Sequence, residues 1–346
     1  MLAAVYHGPN CLEIEKVDDP RCEPGGVVVK VAACAICGTD VRVLAHGQAN
    51  VRIPQVLGHE ITGVVAEVGP DVEGLGPGDP VALRPGVVCG RCEECQAGRQ
   101  NFCRKALGSF GYALAGGFAE YVAVPAAGVR GGTVIPLSPG LDLVELSIFE
   151  PLACVLHGQE LAGVGLGDTV AVIGAGPVGC MHLAVARLRG ARQLIAVDVL
   201  GSRLELAGRF GPDLCVDASA EDPVRRVLDA TEGLGVSVAI VAASSGAAQE
   251  QALQMVRPRG RVVFFAGLPH DDPYIRFNSN LLHYREAAVY GVKGSTHRQQ
   301  RDALDLLAAR EVDGRQLITH RVPLADIHEG FRMVRAGEAL KAAIVP

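Results

Sequence analysis

The residues Thr169-Val170-Ala171-Val172-Ile173 run directly into Gly174-Ala175-Gly176-Pro177-Val178-Gly179, and no other stretch restricts the fold of this chain as much. Five residues apolar on both faces suit a strand buried inside a parallel sheet. A G-x-G-x-x-G pattern is weak alone, but here it leaves such a strand and opens a helix expected over 177–189. A second strand, expected over 193–197, leads to Asp198, which lies 19 residues beyond Gly179, near the spacing at which an acid meets a ribose. Gly174 permits the tight turn. Gly176 lets backbone N–H groups reach a pyrophosphate at the helix N-terminus, which Pro177 and Val178 begin, and Gly179 lets helix and strand pack closely. The Asp198 carboxylate can accept from both ribose hydroxyls and repels a 2′-phosphate. No base directly follows it (Val199, Leu200, Gly201), which favours NAD over NADP. Arg203 is positioned to lie along the adenine. The plainer alternative is a sterically required turn with no ligand.

The chain has 346 residues, long enough for two domains. Residues 1–150 read as short strands (27–31, 61–68, 81–83) punctuated by Gly and Pro, an all-β signature with little helical periodicity. From Glu150 the character changes. A helix over 151–161 is followed by strands and helices in alternation, with later strands at 215–216, 236–241, 261–265 and 287–290, which implies βαβ units. A helix over 299–309, a strand over 318–321, a helix over 325–336 and a strand over 342–345 close the chain. No apolar run reaches the roughly 18–20 residues a membrane span needs. The net charge of −6 leaves no footprint for a polyanion, so neither membrane nor nucleic acid is an expected partner. The eleven cysteines are an odd count, and the first residues lack a signal-peptide pattern, so a reducing, cytoplasmic setting is expected.

Two groups of residues carry metal chemistry. Cys89, Cys92, Cys95 and Cys103 are spaced C-x2-C-x2-C-x7-C; four thiolates so placed can close a tetrahedral structural zinc site with no position left for substrate. A disulfide pair and an iron–sulfur cluster are the alternatives. Cys37, in Cys37-Gly38-Thr39-Asp40, His59 and Glu60, in Gly58-His59-Glu60, and Glu150, in Phe149-Glu150-Pro151, are each unremarked alone. Together they supply sulfur, imidazole and carboxylate, the mixed open set of a catalytic zinc.

With these motifs the chain resembles the zinc-dependent medium-chain dehydrogenase/reductase family, which includes alcohol, sorbitol and threonine dehydrogenases, over nearly its whole length. The resemblance implies an α/β protein. A GroES-like β-rich catalytic domain would take residues 1–150 and 291–346, and a Rossmann domain with a doubly wound parallel sheet would take 151–290. It implies two zinc ions per chain. Cys37 and His59 would ligate the catalytic one, with Glu60 as the next ligand or standing behind the metal, and Glu150 binding it or holding its water. Thr39 would pass a proton outward, and Gly267-Leu268 and Gly294-Ser295 would flank the nicotinamide unless they are ordinary strand-end turns. Arg42 is a departure, since relatives often carry His at that point. The implied reaction is NAD-dependent oxidation of a secondary alcohol to a ketone, zinc polarising the hydroxyl. The two glutamates favour a polyhydroxylated small-molecule substrate. The tail segments Gly294-Ser295-Thr296-His297 and Ile318-Thr319-His320-Arg321 look similar to dehydrogenases of cyclitols and amino sugars in aminoglycoside (antibiotic) biosynthesis. A sorbitol-, butanediol- or threonine-type dehydrogenase is the same-class alternative, and a non-catalytic NAD-binding sensor the different-class one. A homodimer or homotetramer is expected by the resemblance.

Overall fold

A computed structural model describes residues 1–269 and 271–346. Two compact units divide the chain: Met1–Ala153 together with Ser295–Pro346, and Cys154–Gly294.

The first unit is built on antiparallel strands. Its main sheet runs, in spatial order, Val134–Pro136, Pro80–Leu83, Glu60–Val68, Val27–Ala35, Lys341–Val345 and Ile318–Pro323, with Tyr121–Val124 also pairing Val27–Ala35. Cys11–Lys16, Leu2–Gly8 and Gln55–Val56 form a smaller sheet. Between the sheets lies a core that includes Tyr6, Leu57, Ile61, Phe110 and Phe118, all buried. The main sheet places the C-terminal strand beside Val27–Ala35, with Ile344 opposite Cys34 and Ala343 opposite Ala35. On the other side of Val27–Ala35, Ala35 faces Glu60. The ends of three strands distant in sequence therefore meet near Cys37.

The expectation of a purely β first half is corrected here. Gly38–His46 is a helix, and short helices also form at Glu93–Gln96, Ala126–Arg130 and Leu143–Leu146. Gly38–His46 has only nine residues, of which Val43 and Leu44 are its buried apolar ones, so its periodicity is too short to register. The helix expected from 151 begins two residues earlier, as Phe149–Leu161. Pro151 sits in its first turn, where its missing N–H costs nothing, and Glu150 is drawn into that turn.

The second unit is a six-stranded parallel sheet in the spatial order Leu214–Asp217, Gln193–Asp198, Thr169–Ile173, Val236–Val241, Val256–Phe264, Ala288–Gly291. Numbered by sequence this is 3-2-1-4-5-6, the doubly wound dinucleotide-binding order. All five residues of Thr169–Ile173 are buried, as the apolar run requires. The helices Pro223–Asp229 and Gly246–Met255 were not anticipated; Asp222 and Ser245 cap them by accepting backbone N–H bonds. The strand expected from 261 starts at Val256. Pro258, Arg259 in the left-handed region (φ 59°) and Gly260 disguise its beginning. Among the described residues no helix is long and apolar enough to cross a membrane.

Candidate active site

The four-cysteine segment folds into one helical turn, Glu93–Gln96, and one 3₁₀ turn, Gln100–Phe102. The turns gather the sulfurs: Cys92 lies 3.5 Å from Cys95 and 3.9 Å from Cys103, and Cys103 lies 3.5 Å from Cys89. A zinc ion bonded tetrahedrally to sulfur at about 2.3 Å needs sulfurs about 3.8 Å apart. A tetrahedron of that size holds one ion rather than a cluster, and the cysteines are free of disulfides. Backbone N–H bonds, first from Cys95 and then from Arg104, bring the Cys92 thiol down to about 6, while burial pushes Cys95 up to about 12. The donors fit zinc.

The second set is buried and assembled from separate elements. Cys37 is the N-cap residue of Gly38–His46, and Asp40 Oδ2 accepts its N–H at 2.9 Å. Glu60 opens the strand Glu60–Val68. Gly58, just before His59, has φ +92°, and a Cβ there would stand 2.6 Å from Cys34 Sγ and 2.9 Å from the Phe118 ring, so there is no room for a side chain at 58. One ligand atom from each of Cys37, His59 and Glu60 lies within 4.8 Å of the others. His59 Nδ1 is 3.5 Å from Asp40 Oδ1 but makes no hydrogen bond, although it is buried. A buried unpartnered imidazole nitrogen calls for a reason. A metal-bound histidine steered by a carboxylate supplies one, and the residues fit a zinc ion with mixed donors. Burial opposes a charged imidazole, but the Asp40 and Cys37 charges outweigh it and push His59 well up.

Lys341 completes this set, and sequence reasoning missed it. Its Nζ sits 2.5 Å from both Glu60 carboxylate oxygens and 2.9 Å from the Ile36 carbonyl, which accepts a third bond. Both side chains are buried. Burial raises Glu60, and the Lys341 charge pulls it back; burial lowers Lys341, and Glu60 more than restores it. The available signal was one charged residue opening the apolar strand Lys341–Val345. Asp40 was also missed; its signal is a carboxylate three residues after an N-cap.

Glu150 is not one of the three converging ligands, though its charge raises Glu60 and the Tyr112 phenol. Thr39 is the second residue of Gly38–His46, partly buried. Arg42, exposed on the same helix, points a guanidinium nitrogen to Gln48 Oε1 at 3.4 Å.

In the second unit, Gly174 turns at φ +100°. A Cβ on Gly179 would lie 1.9 Å from the Gly174 carbonyl oxygen, whereas one on Gly176 would meet nothing within 4 Å. Gly179 is therefore needed for helix–strand contact. Gly176 lines open space at the start of Pro177–Leu188, where no side chain caps the first N–H groups. Such a cradle suits a dinucleotide phosphate. Asp198 accepts N–H bonds from Ala175 at 2.7 Å and Leu200 at 2.9 Å, which ties the loop to the next strand. Arg203 approaches its carboxylate to 4.0 Å. Gly267 and Leu268 follow Val256–Phe264, and Gly294 follows Ala288–Gly291, so both lie past the same carboxyl edge of the sheet as the loop. Ser295 begins the returning part of the first unit, its hydroxyl accepting from Gln300 Nε2 at 3.1 Å.

Comparison with known proteins agrees. Residues 23–133 match the alcohol dehydrogenase GroES-like domain, and residues 177–309 match the zinc-binding dehydrogenase domain. An L-threonine 3-dehydrogenase from Pyrococcus abyssi is 36% identical over 338 residues, covering 96% of this chain and 94% of its own. The chain belongs to the zinc-dependent medium-chain dehydrogenase family. Sorbitol dehydrogenase from Bacillus subtilis is 32% identical, covering 100% of this chain and 97% of its own. The solved structure of a zinc-binding dehydrogenase from Sinorhizobium meliloti 1021, bound to NADP, has a TM-score of 0.91 at 32% identity and covers 100% of this chain and 99% of that one. This medium-chain dehydrogenase is an oxidoreductase of the zinc- and NAD(P)-dependent alcohol dehydrogenase type, a GroES-like domain joined to a Rossmann domain.

Proposed function

We propose that this dehydrogenase oxidises a secondary alcohol bearing a hydroxyl or amine on the adjacent carbon, with NAD as acceptor. The observation that carries the reading is the convergence of Cys37, His59 and Glu60 in a buried site. Cys37 and His59 hold zinc, and Glu60 and Glu150 are the carboxylates from which its remaining protein ligand comes. Bound there, zinc would supply a Lewis acid for the substrate hydroxyl, and bound NAD would supply the hydride acceptor. The balance is simple: the alcohol carbon loses a hydride to NAD⁺ and its oxygen loses a proton, giving ketone, NADH and H⁺. Asp40 holds the His59 ring, and the Thr39 hydroxyl hands the proton outward. Lys341 neutralises Glu60 so that the buried carboxylate can remain ionised.

Gly174, Gly176 and Gly179 seat the pyrophosphate, with Pro177 and Val178 starting the helix. Asp198 binds the ribose, Arg203 lies along the adenine, and Gly267, Leu268, Gly294 and Ser295 border the nicotinamide. The Asp198 charge underlies the preference for NAD. The four-cysteine lobe takes the second zinc.

The names of the relatives support the substrate class, since threonine and sorbitol both carry a polar group beside a secondary alcohol. Polyols, cyclitols and amino sugars, including those of aminoglycoside biosynthesis, fall within it. A cytoplasmic setting goes with this reading, because the thiolate ligands must stay reduced. Assembly as a homodimer or homotetramer is part of it. Ala288–Gly291 ends the parallel sheet with Val289 exposed, an edge open to pairing with a second copy.

The test is metal analysis with NADH formation on a panel of polyols, amino sugars, threonine and simple alcohols. Two zinc ions per chain and turnover of the vicinally substituted alcohols are expected. One zinc with no turnover, as in a cofactor-binding sensor, overturns the reading. Replacing Asp198 with Ser should erode the preference for NAD over NADP, and an unchanged preference removes its ribose role.

A further inference from the structure

Tyr112 stands on the loop after Gly108–Ser109, and its backbone is tied down at both ends. Its N–H donates to the Ser109 carbonyl at 3.2 Å, and its carbonyl accepts from Gln55 Nε2 at 2.7 Å and from the Arg52 N–H at 3.1 Å. The ring packs against His59 with centroids 5.7 Å apart and planes tilted by 50°. Burial pushes the phenol up to about 12. The His59 charge works against the rise, while the charges of Asp40, Cys37 and Glu150 add to it. The ring stands beside the candidate metal site, the side chain is only partly buried, and its hydroxyl bonds no described residue, so it is open to a bound solute. Phenylalanine would supply the same packing against His59, so the hydroxyl is the part of this side chain left to meet a solute.

We propose that the Tyr112 hydroxyl binds the substrate's second polar group, the hydroxyl or amine on the carbon next to the one oxidised. The inference rests on the reading above, that the alcohol is held at Cys37, His59 and the neighbouring carboxylates. A phenol is both donor and acceptor, so one residue serves either a diol or an amino alcohol. Tyr112 is then the specificity-determining residue that separates vicinally substituted alcohols from plain ones. A site built to bond a substrate hydroxyl rejects an analogue that lacks it more strongly than a greasy pocket rejects a surplus methylene.

The experiment compares the wild-type, zinc-loaded enzyme with Tyr112→Phe on 2,3-butanediol and 2-butanol. The ratio of kcat/KM for the diol to that for the plain alcohol should fall about tenfold or more in the variant, the scale of one buried hydrogen bond. An unchanged ratio overturns the proposal, whether both substrates slow together or neither does. A second measurement needs no turnover. The chain has six tyrosines and no tryptophan, so an ultraviolet difference spectrum on adding saturating 2,3-butanediol to the NADH complex reads tyrosine directly. A difference band present in the wild type and missing in Tyr112→Phe supports the contact, and its absence from the wild type overturns it. Loss of all turnover in the wild type would instead strike the functional reading itself, and the spectrum still decides the contact.

Discussion

Four thiols within residues 89–103 make one donor set; a thiol, an imidazole and a carboxylate from positions 37, 59 and 60, backed by Asp40 and Lys341, make the other. The lobe needs only two short turns to bring its sulfurs together, and its four identical donors are satisfied by a single ion. The buried set needs a helix N-terminus, a strand start and a C-terminal strand to meet, and its charges are balanced by neighbours rather than by repetition. Lys341 is separated from Glu60 by 281 residues and still bonds both carboxylate oxygens. A closed, uniform set suits a structural role. A mixed set with a compensated carboxylate suits chemistry, because its groups can be re-paired as substrate arrives.

Substitutions at either set can break this contrast. Cys37→Ser should have the largest effect. We expect turnover to fall by about 10³-fold or more, the loss of several kcal/mol of transition-state stabilisation, with the lobe zinc still present by metal analysis. Normal activity in that variant would remove the buried set from catalysis. Lys341→Met leaves the Glu60 charge buried and unpaired, which should cost about 3–5 kcal/mol in denaturant unfolding. Adding Glu60→Gln should restore most of that, and a double variant no better than the single one would deny the pairing. Cys95→Ser opens the lobe. It should release one zinc and lower Tm by about 5 °C or more, while kcat on the best substrate stays near wild type until the protein unfolds. A parallel collapse of kcat would mean that the two sets are not separable. The smallest change tests the cofactor cradle: Gly176→Ala meets no protein atom within 4 Å, so Tm should hold while NAD affinity drops about tenfold, roughly 1.4 kcal/mol. Calorimetric titration with NAD reads it directly.

Much of the fold was legible because its signals are local. Val236–Val241 and Thr169–Ile173 appear at the expected bounds, and Pro177–Leu188 and Gln193–Asp198 within a residue of them, since buried parallel strands are continuous apolar runs and glycine marks the turns between them. What stayed hidden was also physical. Gly38–His46 is too short for its period to show, and its N-terminus is organised by one carboxylate, Asp40. The strand from Val256 is masked by Pro258 and Gly260. Helix Phe149–Leu161 starts before its proline, so the position of Glu150 in a first turn was not visible.

The sequence by itself determined the chemistry on offer: a glycine loop with an acid at ribose distance, four thiols at structural-zinc spacing, and a cysteine, a histidine and two glutamates of the mixed kind. These follow from spacing along one chain, which sequence states directly. Only the tertiary structure decided which donors converge. Adjacent strands brought Lys341 to Glu60, a loop set Tyr112 against His59, and Glu150 was left outside the converging trio. Partners hundreds of residues apart are chosen by sheet register and packing, and no local pattern encodes them.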